Sequence, residues 1–508
     1  MGAAVGAGGG IPPIVIGETP IRIADIVAVA RDNARVELSP GLGPKLAAAR
    51  AVLDAAAARG DKVYGLTTGL GAAADTPLDA RALASFQSRA IEARMIGVGE
   101  ALPRDVTRAL LAARLAGLAK SASGISPAIP QAIADLLNAG VTPVVPSLGS
   151  VGAADLAPLA HACAVLIGKG EAEYRGRVLP GAEALAAAGL SVVELGPKDA
   201  LSLINANALS IGAGALAVAD AGILLEAALA ALALDLEALR GNLGPFGAAA
   251  VAWRPTPALD DIAARLRGWL AGSALELQGA ARRLQDPLSF RSGAHILAAF
   301  ADALAKARQS VEIELDGAGD NPAVAADGRS IISTAGFDAT HLALAFETLG
   351  LALAQTAAAS FWRAVKLMNA ATSGLPRFLT PHGGSHSGFS AVQKTAASLE
   401  AEIRRLAQPA MLFAGPVADG VEDMGSMAPR SVAKAAQAIA LMRRLVALEM
   451  MVAAQALDLG APSRVAPAVA ALHGRIRSVV PRLDEDRPTG RDVEALARKL
   501  QDGLICGD

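Results

Sequence analysis

The chain has 508 residues, 53% of them hydrophobic and 3% aromatic, with 46 Lys and Arg against 48 Asp and Glu for a net charge of −2. So apolar and so nearly neutral a composition excludes a disordered chain. Without a basic excess or rings for stacking, a nucleic-acid binder is disfavoured, and two cysteines, Cys163 and Cys506, exclude a disulfide framework.

Residues 1–20 begin MGAAVGAGGGIPP and carry no basic n-region, so they read as a disordered leader rather than a signal peptide, and the expected location is the cytoplasm. Ala- and Leu-rich helical spacing follows over 44–58, 79–96, 104–121 and 130–138, with Gly60 and Gly140 as stops. The uncharged run 136–154 approaches the roughly 20 residues of a spanning helix, but Pro143 and Pro146 break it, and no membrane association is expected. A helix over 156–167 precedes a hairpin turning at Tyr174-Arg175-Gly176-Arg177. The pattern from Asp199 to Leu239 is apolar on nearly every side, which belongs at the centre of a bundle. Further helices are expected over 259–283, 296–313, 338–368, 391–407 and 431–457, with short ones over 465–475 and 492–500. The fold class is mainly α: a bundle of long antiparallel helices. One domain over 21–480 is expected, with a loop-rich part at 21–197, the bundle at 198–480, and a tail at 481–508.

Gly-rich interruptions at 65–75, 145–155, 286–294, 316–337 and 380–389 carry most of the unusual polar residues, and function concentrates on such loops. Tyr64, in Tyr-Gly-Leu-Thr-Thr-Gly-Leu-Gly71, could act as a general base or simply pack under a turn. Asp155 is placed as an N-cap or first-turn acid. Asn205 and Asn207 sit in the most apolar stretch, where an unpaired amide costs about 1–3 kcal/mol, so they mark a polar site or hydrogen bonds between helices. Arg291 suits a substrate carboxylate or a surface pair with Asp286. His382 and His386 lack a third ligand, and no metal is expected. Glu422 could anchor a substrate amine or begin a solvated helix.

Taken in order, these segments resemble the histidine and aromatic amino acid ammonia-lyase family. The matching stretches are Tyr64-Gly-x-x-Thr-Gly-x-Gly71, Gly97-Val-Gly-Glu100, Gly149-Ser-Val-Gly with Asp155-Leu-Ala-Pro-Leu-Ala-His161, Asn205, Gln285-Asp-Pro-x-Ser-x-Arg291, Asp320-Asn-Pro322, Ser387-Gly-Phe389 and Glu422-Asp-x-x-Ser-Met427. The resemblance implies an almost all-helical fold, a homotetramer with sites shared between subunits, and elimination of ammonia from an α-amino acid. It implies an electrophile, a methylidene-imidazolone, made from a consecutive Ala-Ser-Gly. It assigns Tyr64 as the β-proton base, Arg291 as the carboxylate clamp, Asn205 as the electrophile's neighbour, and Glu422 as a contact to the substrate amine or ring.

The departures fall in the site. Where the family reads Gly-Ser-Val-Gly-Ala-Ser-Gly-Asp, this chain reads Gly149-Ser-Val-Gly-Ala153-Ala154-Asp155, one residue short and without the Ser or the following Gly. The electrophile is therefore expected to be absent. Arg94 stands where histidine-type members carry His, Asp338 replaces a His, Leu288 a second Tyr, Ala208 a Gln, Gly336 an Asn, His386 an Asn and Met424 a His. Arg94, Asp338 and His386 are taken as substrate-binding beside Arg291. The functional expectation is a carbon–nitrogen lyase acting on an amino-acid-like carboxylate, distinct from standard histidine or phenylalanine deamination. The alternatives are isomerisation, hydration or condensation on the same scaffold, or a non-catalytic subunit that binds a small acid and regulates a paralogue.

Overall fold

The computed structural model describes residues 11–76, 80–412, 415, 417–460 and 462–505. Eight helices carry the argument: α1 (Leu42–Arg59), α2 (Arg104–Leu118), α3 (Leu156–Ala164), α4 (Asp199–Ile204), α5 (Ala208–Leu239), α6 (Gly293–Leu315), α7 (Thr340–Leu367) and α8 (Ala428–Gly460). Their Ala and Leu content gives high helix propensity. In α5 every residue from Ala227 to Leu236 is fully buried, as an all-round apolar helix requires. By length and composition 199–239 and Thr340–Leu367 could each cross a membrane, yet both are mostly buried inside the protein, as core helices are.

The chain forms two compact units. One comprises Met1–Ala219, Arg308–Leu344 and Ala410–Ala433; the other comprises Asp220–Ala307, Ala345–Pro409 and Lys434–Asp508. The boundaries fall inside α5, α6, α7 and α8, not at the expected 197/198 junction. The first unit holds small sheets among its helices. Arg177–Pro180 pairs antiparallel with Glu171–Tyr174 about the expected hairpin, where Arg175 (φ +49°) and Gly176 (φ +75°) make the turn. In the second unit α5, α7 and α8 meet at a dry charge cluster: Arg363 Nε donates to Asp235 at 2.8 Å and to Glu449 at 2.6 Å, and the Ser360 hydroxyl donates to Glu449 at 2.5 Å.

Two expectations are corrected. Of the leader, residues 1–10 lie outside the described residues, while Ile14–Ile16 forms a strand paired in parallel with Val36–Leu38. The short helix expected over 492–500 forms as Gly490–Gln501 and buries Val493, Leu496 and Leu500. The helix expected over 259–283 stops at Leu270, because Gly272 turns left-handed (φ +80°) and the Ser273 hydroxyl caps a new turn at Leu275 N–H. Asp79, expected to begin a helix, lies outside the described residues.

Candidate active site

Tyr64 stands on the loop after α1. A Cβ at Gly65 (φ +69°) would come within 2.4 Å of Leu201 Cδ2, so glycine is required for this close approach. Thr67 braces the loop, accepting from Val63 N–H at 2.9 Å and donating to Asp61 O at 2.7 Å. Gly71 N–H then donates to Tyr64 Oη at 2.9 Å.

The loop at 149–155 is held by residues far away in sequence. The Ser426 hydroxyl donates to Gly152 O at 2.8 Å, Met427 N–H donates to Val151 O at 2.9 Å, and Ala153 pairs with Asp338 in a β-bridge. Asp155 occupies the N-cap position of α3, but its carboxylate serves α5 instead, accepting from Ser210 N–H at 2.9 Å and from the Ser150 and Ser210 hydroxyls at 2.9 and 3.1 Å. A carboxylate is favourable at a helix N-terminus. Burial pushes its pKa up, and the donors pull it back.

The expected continuous helix over 199–239 is broken between α4 and α5, and the break brings Asn205 to the site. Asn205 adopts φ −92° and ψ 73°, and its side chain donates to Asn321 O at 2.9 Å. Both asparagines therefore bond loop carbonyls, Asn207 reaching Phe337 O at 2.6 Å.

Tyr64, Arg94, Ala153, Asn205, Asp338 and Glu422 all line one cavity of about 650 Å3 in the first unit. Arg94 Nη1 donates to Ala90 O at 3.0 Å. Burial lowers the Arg94 pKa, while Tyr64 and Glu422 facing it work the other way. Asp338 caps α7 through Thr340 N–H at 2.9 Å and the Thr340 hydroxyl at 3.1 Å. The cavity thus offers a phenol, an amide, carboxylates and a guanidinium, the groups needed to grip an ammonium and a carboxylate around a proton acceptor. Lys62 and Asn321 also line it. Neither was picked from sequence, although Lys62 lies two residues before Tyr64 and Asn321 belongs to the Asp320-Asn-Pro322 motif.

Two expected site residues lie elsewhere. Arg291 is exposed at the end of a short helix, Leu288–Arg291, beside a cleft of about 270 Å3 in the second unit. The Asp286 carboxylate there accepts from Asn242 N–H at 2.6 Å. His386, also in the second unit, bonds Glu485 at 2.7 Å and Ser385 Oγ at 2.9 Å. Both ring nitrogens are thus engaged within a surface loop. Among the described residues no group of three or more His, Cys, Asp or Glu is arranged to hold a metal.

The residues at 153–155 do not fit the electrophile the resemblance implies. Ala154 has no hydroxyl to lose as water, and the Asp155 N–H donates to Ala206 O at 2.7 Å.

Comparison with known proteins shows the family and the fold. The family model described as aromatic amino acid lyase matches residues 21–478. A histidine ammonia-lyase of Myxococcus xanthus is 38% identical over 496 residues, covering 97% of this chain and 98% of its own. Among solved structures, the ergothionase of Treponema denticola superimposes with a TM-score of 0.92 at 29% identity, covering 98% of this chain and 100% of its own. The tyrosine aminomutase of Streptomyces globisporus does so with a TM-score of 0.92 at 31% identity, covering 97% and 98%.

Proposed function

The chain belongs to the aromatic amino acid lyase family, and on that premise we propose that it is a carbon–nitrogen lyase removing ammonia from an amino-acid-like carboxylate without a methylidene-imidazolone. The observation that carries this reading is the convergence of Tyr64, Arg94, Asn205 and Glu422 on one cavity. Tyr64 takes the proton from the carbon next to the one bearing nitrogen. The Gly71 N–H at 2.9 Å and the nearby Arg94 guanidinium hold negative charge on its oxygen. Glu422 receives the substrate ammonium, and Asn205 fixes the substrate's orientation.

Without the electrophile, each tenfold of lost acceleration amounts to about 1.4 kcal/mol of barrier. A substrate whose departing proton is acidified by a neighbouring carboxylate lowers that demand. Lys62 and Arg94 line the cavity and supply positive charge for such a group, which favours an acidic substrate over standard histidine or phenylalanine deamination in this reading. Arg291 completes the site from a neighbouring subunit of a homotetramer, acting on a soluble substrate in the cytoplasm.

The test is ammonia release by the purified protein over a panel including His, Phe, Tyr and acidic amino acids. Turnover on an acidic substrate with an intact mass lacking any dehydration supports the proposal; a mass showing two lost waters overturns the electrophile-free part. Co-assembly of Tyr64→Phe with Arg291→Ala chains should restore part of the activity each lacks, and no recovery would sink the shared site. The likeness to an aminomutase favours a second reading, migration of the amine to the adjacent carbon. A β-amino acid product in the same assay would establish it, and silence over the whole panel would leave the binding or regulatory alternative.

A further inference from the structure

The run from Asp199 to Leu239 has the composition of one helix, yet it breaks after Ile204, and the break carries Asn205 to the cavity. In an unbroken helix the Ala206 N–H would donate to Ser202 O, four residues back. Here Ala206 N–H turns to Ile204 O at 3.2 Å, and Ser202 O accepts from Nη2 of Arg114 instead. A guanidinium suits a carbonyl at the end of a helix, where the next turn supplies no donor and the dipole is negative.

The same nitrogen reaches the other side of the break. Arg114 Nη2 donates to Asp320 Oδ1 at 2.8 Å, and the Asn205 side chain donates to the carbonyl of the next residue, Asn321, at 2.9 Å. Arg114, Ser202, Asn205, Asn321 and Asp320 thus form a closed ring, all within the first unit. Thr334 steadies its far edge, the hydroxyl donating to Asp320 O at 2.6 Å and the N–H to Asn321 Oδ1 at 2.9 Å. The near edge is anchored in α2, which is buried from Thr107 to Ala116. That helix packs backbone to backbone on α5, where a Cβ at Gly212 would come within 2.5 Å of Ala109 C.

Stability does not account for the pair. The side chains of Arg114 and Asp320 are 0% and 1% exposed. The cost of burying two ions can exceed their attraction, so apolar side chains of similar size often serve a fold as well or better. Arg114 Nε and Nη1 and Asp320 Oδ2 also have no partner among the described residues, which adds to the cost. What an apolar pair could not do is keep Ser202 O from Ala206 N–H.

We propose, resting on the lyase reading above, that Arg114 is a positioning residue for that reaction. It holds the chain open at Asn205 and, through Asp320, sets the Asn205 amide against the substrate. Arg114 itself lies outside the cavity that Asn205 lines, so it acts only through the asparagine.

The test exchanges the ion pair for apolar side chains, Arg114→Met with Asp320→Leu, in the full chain. Urea unfolding should show no loss of stability. For the substrate found by the ammonia assay, kcat should fall on the order of a hundredfold, while KM, which depends on the grips of Glu422 and Arg291, changes far less. Asn205→Ala should lose as much turnover, and adding the exchange to it should lose little more, because both act through one side chain. A crystal structure of the double variant should show Asn205 drawn away from Asn321 O and Ala206 N–H bonded to Ser202 O. Losses that multiply, full turnover in the double variant or an unmoved Asn205 would each overturn the proposal. If the exchange does not fold, Arg114→Lys decides: one ammonium replaces the planar fork, and kcat should fall about tenfold in a folded protein, whereas parental kcat would overturn the proposal. The crystallographic arm needs no turnover, so an inactive parent sinks the lyase reading and an unmoved Asn205 sinks this one.

Discussion

Two regions of this molecule keep ionisable groups away from water and do so by opposite means. Around 149–155 the buried carboxylate of Asp155 has no counterion among the described residues; it is held by a helix N-terminus and two hydroxyls. In the second unit Asp235 and Glu449 share one guanidinium, that of Arg363, and Asp235 Oδ1 has no partner. Neutral donors can be placed on a loop and leave space beside it, so the first arrangement borders a cavity. A shared ion needs close packing on every side, so the second is solid. The first is a place for chemistry, the second for holding helices in register.

Breaking the solid region should have the largest effect on stability. Arg363→Met leaves two facing carboxylates without a cation and should cost about 3–5 kcal/mol in urea unfolding at pH 7; a cost under about 1 kcal/mol would mean the cluster is not the dry lock described. Asp155→Ala removes three accepted hydrogen bonds and should cost about 1–3 kcal/mol, with turnover lost as the loop loosens. Full turnover in that variant would detach the loop from the site.

A pH series sharpens the contrast. Burial, with Glu449 alongside, holds the Asp235 pKa well above the ordinary carboxylate value. The protonated form is therefore the one the fold prefers. Its contribution is complete below the unfolded-state pKa near 3.9 and is lost as pH rises through the folded value. Asp235→Asn should flatten this fall, so that the variant gains on the parent as pH rises above the unfolded-state value; parallel stability curves would contradict the raised Asp235 pKa. The smallest stability effect belongs to the cavity. Tyr64→Phe frees only the Gly71 N–H and should change stability by under about 1 kcal/mol while turnover falls at least a hundredfold. Retained turnover would remove Tyr64 as the base.

Much of this was readable in the sequence because helix periodicity and glycine stops are local signals. Most of the bundle helices and the hairpin at Arg175-Gly176 lie where the pattern put them; the helices expected over 199–239 and 259–283 do not run unbroken. Five of the chosen site residues, Tyr64, Arg94, Asn205, Asp338 and Glu422, meet at one cavity with Ala153. What was missed depends on distant contacts. Nothing in Leu-Ile-Asn-Ala-Asn announces a break between α4 and α5, because the carbonyls that reward it belong to Asn321 and Phe337. Asp155 looked like the cap of its own helix, and its partner Ser210 lies 55 positions away. His386 resembled a site residue by motif position, but Glu485 had already engaged it from 99 positions on.

The hydroxyl of Ser426 reaches back 274 positions to the Gly152 carbonyl. At a synthesis rate of roughly 5–20 residues per second, the loop at Gly152 leaves the ribosome about 14–55 s before the segment that fastens it. During that interval the nascent chain carries the floor of its cavity without a latch. The cavity is thus among the last features to be assembled, and a chain truncated before Ser426 would present that loop unlatched to chaperones and proteases.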